Sequence, residues 1–277
     1  MADEVTTTSH DDTLFAAWVR DRILDENRPY NVMRPFFDFE GKHPSNAVDF
    51  PIQDDPGAAT AYTEGTGLAN TAITTSKKTA TAGTFGMMAT VTQELQETSV
   101  IDAVNQTAAV LGRSVAEKFE TDATALLDDF ANTTGTSGVA TTYATLLEAV
   151  NQLAQRDQMG SPVIVLDPAQ VGSVQQDIAT SGAAVLGNPS FNGIPSESLA
   201  GYTGIVVGQA PVFQTSLVTS SGGAAFLSNL ALALYEIRPY TTETFRDISL
   251  PGDEIVTTTR YGMVEQRDVA GETIVSA

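Results

Sequence analysis

Residues 61–104 read AYTEGTGLANTAITTSKKTATAGTFGMMATVTQELQETSVIDAV. From residue 57 to residue 91 the chain alternates small polar and small apolar residues, and large apolar side chains are few. Such a stretch makes a poor core, so we expect a long two-stranded excursion. An isolated hairpin is only marginally stable in water, so the excursion needs a neighbour to rest on.

The clearest predicted element is a helix from about Ser99 to Phe130, which follows this excursion. Apolar residues recur there at three- or four-residue steps and form one stripe. Thr98 or Ser99 is the expected N-cap. We expect Glu120 and the other charged residues of the helix mostly on the opposite side. At a rise of 1.5 Å per residue the rod is roughly 48 Å long.

The flanking sequence predicts an α+β protein. An amphipathic helix is expected over residues 13–27, and closely spaced prolines then indicate an extended arm. Farther on, we expect a helix over 141–157, a buried strand at 162–166 (PVIVL), and a helix that Asp167 caps and Pro168 begins. The remaining expected strands are 204–207, one or two strands within 224–237, 254–264 and 272–275.

The charge composition excludes several classes of protein. The chain has a formal net charge of −20 and a pI near 4.2, so a basic face that binds nucleic acid is not expected. It has no cysteine, hence no disulfide and no thiol nucleophile. Lysine is scarce in this acidic chain, so a protein from a high-salt environment and an ordinary acidic protein are both kept as interpretations.

No motif with an established chemistry is present. His10 and His43 have no metal-spaced partner, and the Asp pairs lack the spacing of a calcium loop. The sequence therefore singles out no catalytic, cofactor-binding or metal-binding residue. An acidic hydrolase with unrecognised carboxylates is kept as a minor interpretation. The most apolar run, 224–237, is too short to span a bilayer.

Several runs resemble the Hong Kong 97-type major capsid proteins of tailed double-stranded DNA viruses. The step Glu64–Gly65 is similar to the opening of that family's extended loop, and Lys77–Lys78 to its descending strand. The junction over residues 91–98 resembles the entry to the family's spine helix. PVIVLDPAQVGSVQQDI (162–178) and LAGYTGIVVGQAP (199–211) resemble parts of its axial domain.

The resemblance implies a Hong Kong 97-like α+β fold with four parts. These are an N-terminal arm (1–50), an extended loop hairpin (51–91), a peripheral domain with the spine helix (92–132 and 233–266), and a mixed α/β axial domain (133–232 plus 267–277).

The same resemblance implies a structural protein that forms hexamers and pentamers and closes an icosahedral shell around double-stranded DNA. The expected location is the virion capsid, after assembly in the host cytoplasm. The candidate assembly contacts are Arg20, Arg22, Arg28, Arg34, Glu64, Lys77 and Lys78. The lysines could instead be solvated or paired within the subunit.

The expected partners are other copies of the chain, with portal and decoration proteins. The resemblance implies either a separate scaffold or none, since no long domain precedes the arm. DNA is enclosed without sequence-specific binding, and no membrane is involved. The alternative is an encapsulin-like shell that packages enzymes. It is disfavoured because the N-terminus reads as an acidic tail and a Pro-rich arm rather than a cargo-binding helix.

Overall fold

The structure is a computed structural model. It describes residues 31–41, 44–53, 57–59, 61, 64–65, 67, 70–98, 103–156, 160–181, 190–191, 194–195, 200–218, 222–247 and 251–276. The helices are α1 (Gln93–Thr98), α2 (Ala103–Ala125), α3 (Tyr143–Gln155) and α4 (Pro168–Ser181). The strands are β1 (Asp38–Glu40), β2 (Ala47–Gln53), β3 (Thr75–Thr81), β4 (Gly83–Thr92), β5 (Thr133–Gly135), β6 (Pro162–Leu166), β7 (Ser190–Phe191), β8 (Ile194–Pro195), β9 (Tyr202–Val207), β10 (Ala210–Gln214), β11 (Gly222–Leu227), β12 (Leu232–Asp247), β13 (Gly252–Glu265) and β14 (Gly271–Val275).

A four-stranded sheet in the order β1-β12-β13-β4 carries α2 on one face. Strand β1 runs parallel to β12, and the other pairs are antiparallel. Alternate residues of β13 from Ile255 to Tyr261 are buried. Ile255 packs with Ala108 and Leu111 of α2, which accounts for the apolar stripe seen in the sequence.

The spine helix is shorter than predicted. Residues 99–102, where the predicted helix begins, lie outside the described residues. Helix α2 ends at Ala125 and passes into a 3₁₀ turn over Leu126–Asp128. A separate short helix, α1, precedes it, and Thr92 accepts a hydrogen bond from the Leu95 amide at its start (3.3 Å). Thr92 therefore caps α1. The cap predicted for the spine helix at Thr98 or Ser99 stays a prediction, because residues 99–102 lie outside the described residues.

A six-stranded mixed sheet in the order β5-β14-β11-β6-β10-β9 forms with α3 and α4 the second layered unit. The strand expected at 162–166 and the helix that begins at Pro168 are confirmed. The Asp167 carboxylate accepts from the Ala169 amide at 2.8 Å. The run 224–237 falls on two strands, β11 and β12.

The C-terminal strand β14 lies inside this sheet, between β5 and β11. It is fixed by Glu272, whose side chain is fully buried and forms an ion pair with Arg156. The Thr134 hydroxyl donates to the same carboxylate at 2.6 Å. Arg156, the only basic residue between 131 and 235, therefore neutralises a buried acid and ties α3 to the end of the chain.

The largest core cluster contains aromatic residues from both sheets and from the segment before β1. Phe36 packs against Phe213 and Phe226, with ring centroids 5.0 and 6.0 Å apart. Val32, Met33 and Phe37 are buried in the same cluster. The last part of the predicted arm thus rests on the core of its own subunit.

The hairpin differs from the prediction. Its strands are β2 and β3, which pair from Ala47–Thr81 to Gln53–Thr75. The first strand therefore begins at Ala47, within the range predicted for the arm. Strand β4, predicted to belong to the loop, pairs with β13 along its whole length. The reason is that both 75–81 and 83–92 are rich in small residues, and this pattern does not show that β3 pairs with β2 and β4 with β13.

Candidate assembly interface

The hairpin of β2 and β3, with its connecting residues 54–74, exposes most of its described side chains. Residues 75–79 of β3 are all exposed, and Lys77 is 65% exposed. Lys77 Nζ lies 2.5 Å from Asp49 Oδ2, and the Thr79 hydroxyl donates to Asp49 Oδ1 at 2.5 Å. The hydrogen bonds from Lys77 and then Thr79 lower the pKa of Asp49 below its usual value. This face of the hairpin is exposed, and its charges are paired within the subunit.

The root of the hairpin is held on the four-stranded sheet, on the face away from α2. The Ala82 amide donates to the Asn46 carbonyl at 2.9 Å, and the Tyr235 hydroxyl donates to the Ser45 carbonyl at 2.6 Å. The buried residues of this contact form one small apolar cluster: Phe50, Ala80, Ala82, Ala233 and Tyr235. The base is therefore fixed while the strands beyond it stay exposed.

Gly262 sets the distance between the hairpin and the sheet. A methyl group there would lie 2.5 Å from the Thr81 carbonyl oxygen. We expect Gly262→Ala to displace the hairpin root and to lower the free energy of unfolding by about 1–3 kcal/mol, measured by urea denaturation of unassembled subunits. Gly172→Ala on α4, where nothing lies within 4 Å, is the matched control. Unchanged stability in Gly262→Ala would contradict the close approach.

Lys78 lies on the other face of β3 and is directed toward β13. Its Nζ is 3.8 Å from Glu265 Oε2. Burial raises the pKa of Glu265, Lys78 opposes this shift, and Asp268 with Asp129 adds to it. Both loop lysines are thus paired within the subunit, as the sequence analysis allowed.

Arg34 is bound within its own subunit. Its Nη2 donates to both carboxylate oxygens of Glu236, at 2.9 and 2.7 Å. The guanidinium also lies over the rings of Phe119 and Tyr240, 5.6 and 5.7 Å from their centroids. Arg34 therefore anchors the arm to α2 and β12, and its role as a contact between subunits stays a prediction.

Glu64 is exposed in a turn with Gly65, whose φ of +88° favours glycine. It is therefore available to a neighbouring subunit, and that role also stays a prediction. Arg20, Arg22 and Arg28 lie outside the described residues.

Glu120 does not lie on an exposed side of the helix. The apolar stripe predicts it on the polar side of the spine helix, but it is fully buried. The Met33 amide donates to its Oε2 at 3.2 Å. Burial raises the pKa of Glu120 to about 8, against the opposing effect of the Met33 and Val32 amides. The prediction was wrong because the arm, far away in sequence, covers this side of α2.

The described residues contain no group of three or more His, Cys, Asp or Glu placed to hold a metal ion. Among them, no helix has the length and hydropathy needed to cross a membrane.

Comparison with known proteins assigns the family. A family model described as phage capsid protein matches residues 74–264. This span exceeds half of the chain, so the chain belongs to the phage capsid protein family. A search of curated proteins finds no match.

Solved capsids share the fold. The capsid of the cyanophage P-SCSP1u matches with a TM-score of 0.68 at 12% identity, over 88% of this chain and 87% of that one. The acidic stable capsid of Helicobacter pylori bacteriophage KHP30 matches with a TM-score of 0.65 at 12% identity, over 90% of each chain. The holo-SrpI encapsulin complex of Synechococcus elongatus PCC 7942 matches with a TM-score of 0.66 at 9% identity, over 89% of this chain and 87% of that one. The chain is a major capsid protein with the Hong Kong 97-like fold.

Proposed function

We propose that this capsid protein forms hexamers and pentamers that close an icosahedral shell around double-stranded DNA. The observation that carries the proposal is the hairpin: its root is packed on the sheet, whereas residues 75–79 are exposed and carry charge. A two-stranded ribbon gains little stability alone. Resting on a neighbour gives it the missing contacts and links the subunits.

We assign the two layered units to the two capsid domains. The four-stranded sheet with α2 corresponds to the peripheral domain, and the six-stranded sheet with α3 and α4 to the axial domain. The stretch 131–235 has a single basic residue and few acids. Sparse charge supports close packing of five or six copies around an axis, because like charges there would repel.

The contacts between subunits are expected to be individually weak. An exposed ion pair contributes about 0–1 kcal/mol, so Glu64, Lys77 or Lys78 alone would not hold a lattice. Overlapping arms and hairpins act together, and many simultaneous contacts raise the overall affinity. A shell of this kind is stable although no single pair is strong.

The proposed location is the virion capsid, after assembly in the host cytoplasm. The proposed partners are a separate scaffold, a portal and decoration proteins. The DNA is enclosed and not bound sequence-specifically, because a chain with net charge −20 repels phosphates. The proposed role is structural and not catalytic.

Electron microscopy of particles formed by the purified chain tests this function. We expect closed shells with five- and six-subunit capsomers, and DNA inside particles taken from infected cells. Soluble monomers under all assembly conditions would contradict the proposal. The likeness to the encapsulin makes a compartment with enzyme cargo the second candidate; a co-purifying enzyme in place of DNA would support it.

Salt provides a further prediction. Each chain carries a charge of −20, so the copies in a shell repel one another. Salt screens this repulsion, because the Debye length falls to about 3 Å at 1 M salt. We expect particles to stay intact in molar salt and to loosen on dilution, as followed by light scattering. Greater stability in dilute buffer would contradict a high-salt habitat.

A further inference from the structure

In the part of the chain that the structure describes, the outer edge of β4 has no partner strand. Strand β4 pairs with β13 from Gly83–Tyr261 to Thr92–Gly252 and is the last strand of its sheet. Among the described residues, no strand and no loop backbone forms a hydrogen bond with its other side. Half of its backbone N–H and C=O groups therefore point away from the sheet, as a template for another strand.

The sequence and the pairing of β4 lack three features that usually prevent strand pairing. The sequence GTFGMMATVT contains no charged residue and no proline, and its pairing with β13 has no bulge. Met87 and Met88 are 45% and 60% exposed. Natural edge strands are normally protected by charges, prolines or bulges. A long uncharged edge in such an acidic chain is therefore suited to docking an uncharged strand.

The second strand is best supplied by the same residues of another copy. Pairing about a twofold axis uses one patch on both subunits, and β4 brings no like charges together. With the axis at Met88, Met88 faces Met88 of the second copy. Gly86 then faces Thr90, Thr84 faces Thr92, and Met87 faces Ala89. The bulky side chains at the centre are thus flanked by small ones.

We propose that β4 pairs antiparallel with β4 of a second copy across a twofold axis, so that two sheets become continuous. The inference rests on the proposed function, since the copies meet in the shell. In a lattice of hexamers and pentamers, twofold axes relate subunits of adjacent capsomers. The β4 edge would therefore join capsomers, whereas the hairpin links neighbours by overlap.

Cysteine crosslinking tests the pairing, because the chain has no cysteine of its own. Directly opposite residues have Cα atoms about 4.5–5.5 Å apart, within the range of about 4.4–6.8 Å that a disulfide needs. We expect assembled Met88→Cys particles to give disulfide-linked dimers on mild oxidation. Thr90→Cys is the matched control, because its two copies would be about 13 Å apart along the strands.

The yield for Met88→Cys should exceed that for Thr90→Cys by about tenfold or more, because a disulfide tolerates little displacement. Thr84→Cys/Thr92→Cys should crosslink between subunits, and neither single variant should. Equal yields from Met88→Cys and Thr90→Cys would overturn the pairing. A second outcome would also overturn the pairing: if Met88→Cys forms crosslinks only when Ser76→Cys is present as well, β4 lies against the hairpin of another copy and not against β4.

Charge substitution gives a second readout. Met88→Lys places like charges opposite each other across the axis, whereas Val139→Lys changes an exposed apolar residue elsewhere. We expect Met88→Lys to remain folded by circular dichroism but to lose closed particles on sedimentation, and Val139→Lys to assemble. Normal assembly of Met88→Lys would overturn the inference. Failure of the unmodified chain to form particles would instead reject the proposed function.

Discussion

A subunit in which Asn-Gly replaces residues 54–74 is expected to fold and stay soluble but to form no closed shells. Gln53 and Thr75 are the last directly paired residues of the hairpin. An Asn-Gly dipeptide between them closes a two-residue turn of the kind that joins antiparallel strands. The change removes the far end of the hairpin and leaves β2, β3 and their cross-strand pairs.

The fold should survive because the packed part of the hairpin is at its root. Phe50, Ala80 and Tyr235 stay in their cluster, and the Asn46–Ala82 hydrogen bond remains. Assembly should fail because the variant loses residues 54–74, with Glu64, and so shortens the exposed hairpin that is proposed to overlap a neighbour. Since overlapping contacts act together, losing one set lowers the affinity of every subunit at once.

Analytical ultracentrifugation and electron microscopy measure the outcome. The matched control keeps the native length but replaces residues 57–72 with a Gly/Ser sequence, which separates the loss of reach from the loss of side chains. Closed shells of normal diameter from the shortened variant would contradict the role of the hairpin. An unfolded variant, detected by circular dichroism, would contradict the assignment of stability to the root.

Glu120→Gln is expected to change how stability depends on pH. Burial raises the pKa of Glu120 in the folded chain to about 8, from an ordinary value of 4.5. Between these values the unfolded chain releases the proton and the folded chain keeps it. The carboxyl group therefore makes the folded state progressively less stable as the pH rises from about 4.5 to about 8, and the effect is constant above that range.

The expected loss of stability is large for one side chain. Each unit of pKa shift corresponds to about 1.4 kcal/mol, so the free energy of unfolding falls by at most about 5 kcal/mol between the two ends of this pH range. Glutamine keeps a similar shape and an oxygen for the Met33 amide but cannot ionise. Urea unfolding of unassembled subunits at pH 5 and at pH 8.5 should show a smaller loss of stability in Glu120→Gln than in the unmodified chain.

Glu117→Gln is the matched control, because Glu117 lies one turn earlier on α2 and is exposed. It should follow the pH dependence of the unmodified chain. If Glu120→Gln follows that dependence as well, the buried carboxyl group is not the cause. Cleavage near residues 31–40 by a protease should rise with pH in the unmodified chain, because release of the arm lets ionised Glu120 regain the water that burial removes.

Local pattern predicted the regular elements that carry their own signals. The run PVIVL gave the buried strand β6, and the Asp167–Pro168 pair gave the start of α4. The apolar stripe gave α2, because helical periodicity and burial reinforce each other there. These features depend on residues that are close together in the sequence.

Features that depend on distant residues were less accessible. The partner of β3 is β2, in a Pro-containing stretch that does not read as a strand. Glu120 looks like an ordinary surface residue until Met33 covers it. The candidate assembly residues came from the family resemblance, and sequence pattern alone does not show that Arg34 binds Glu236 within the subunit.

The position of β14 also bears on the order of biosynthesis. Strand β14 lies between β5 and β11, so the six-stranded sheet lacks an inner strand until residues 271–275 have been synthesised. A nascent chain that has not yet exposed these residues therefore cannot present a finished six-stranded sheet to another copy. Folding of that unit, and the assembly that depends on it, waits for residues 271–275 to leave the ribosome.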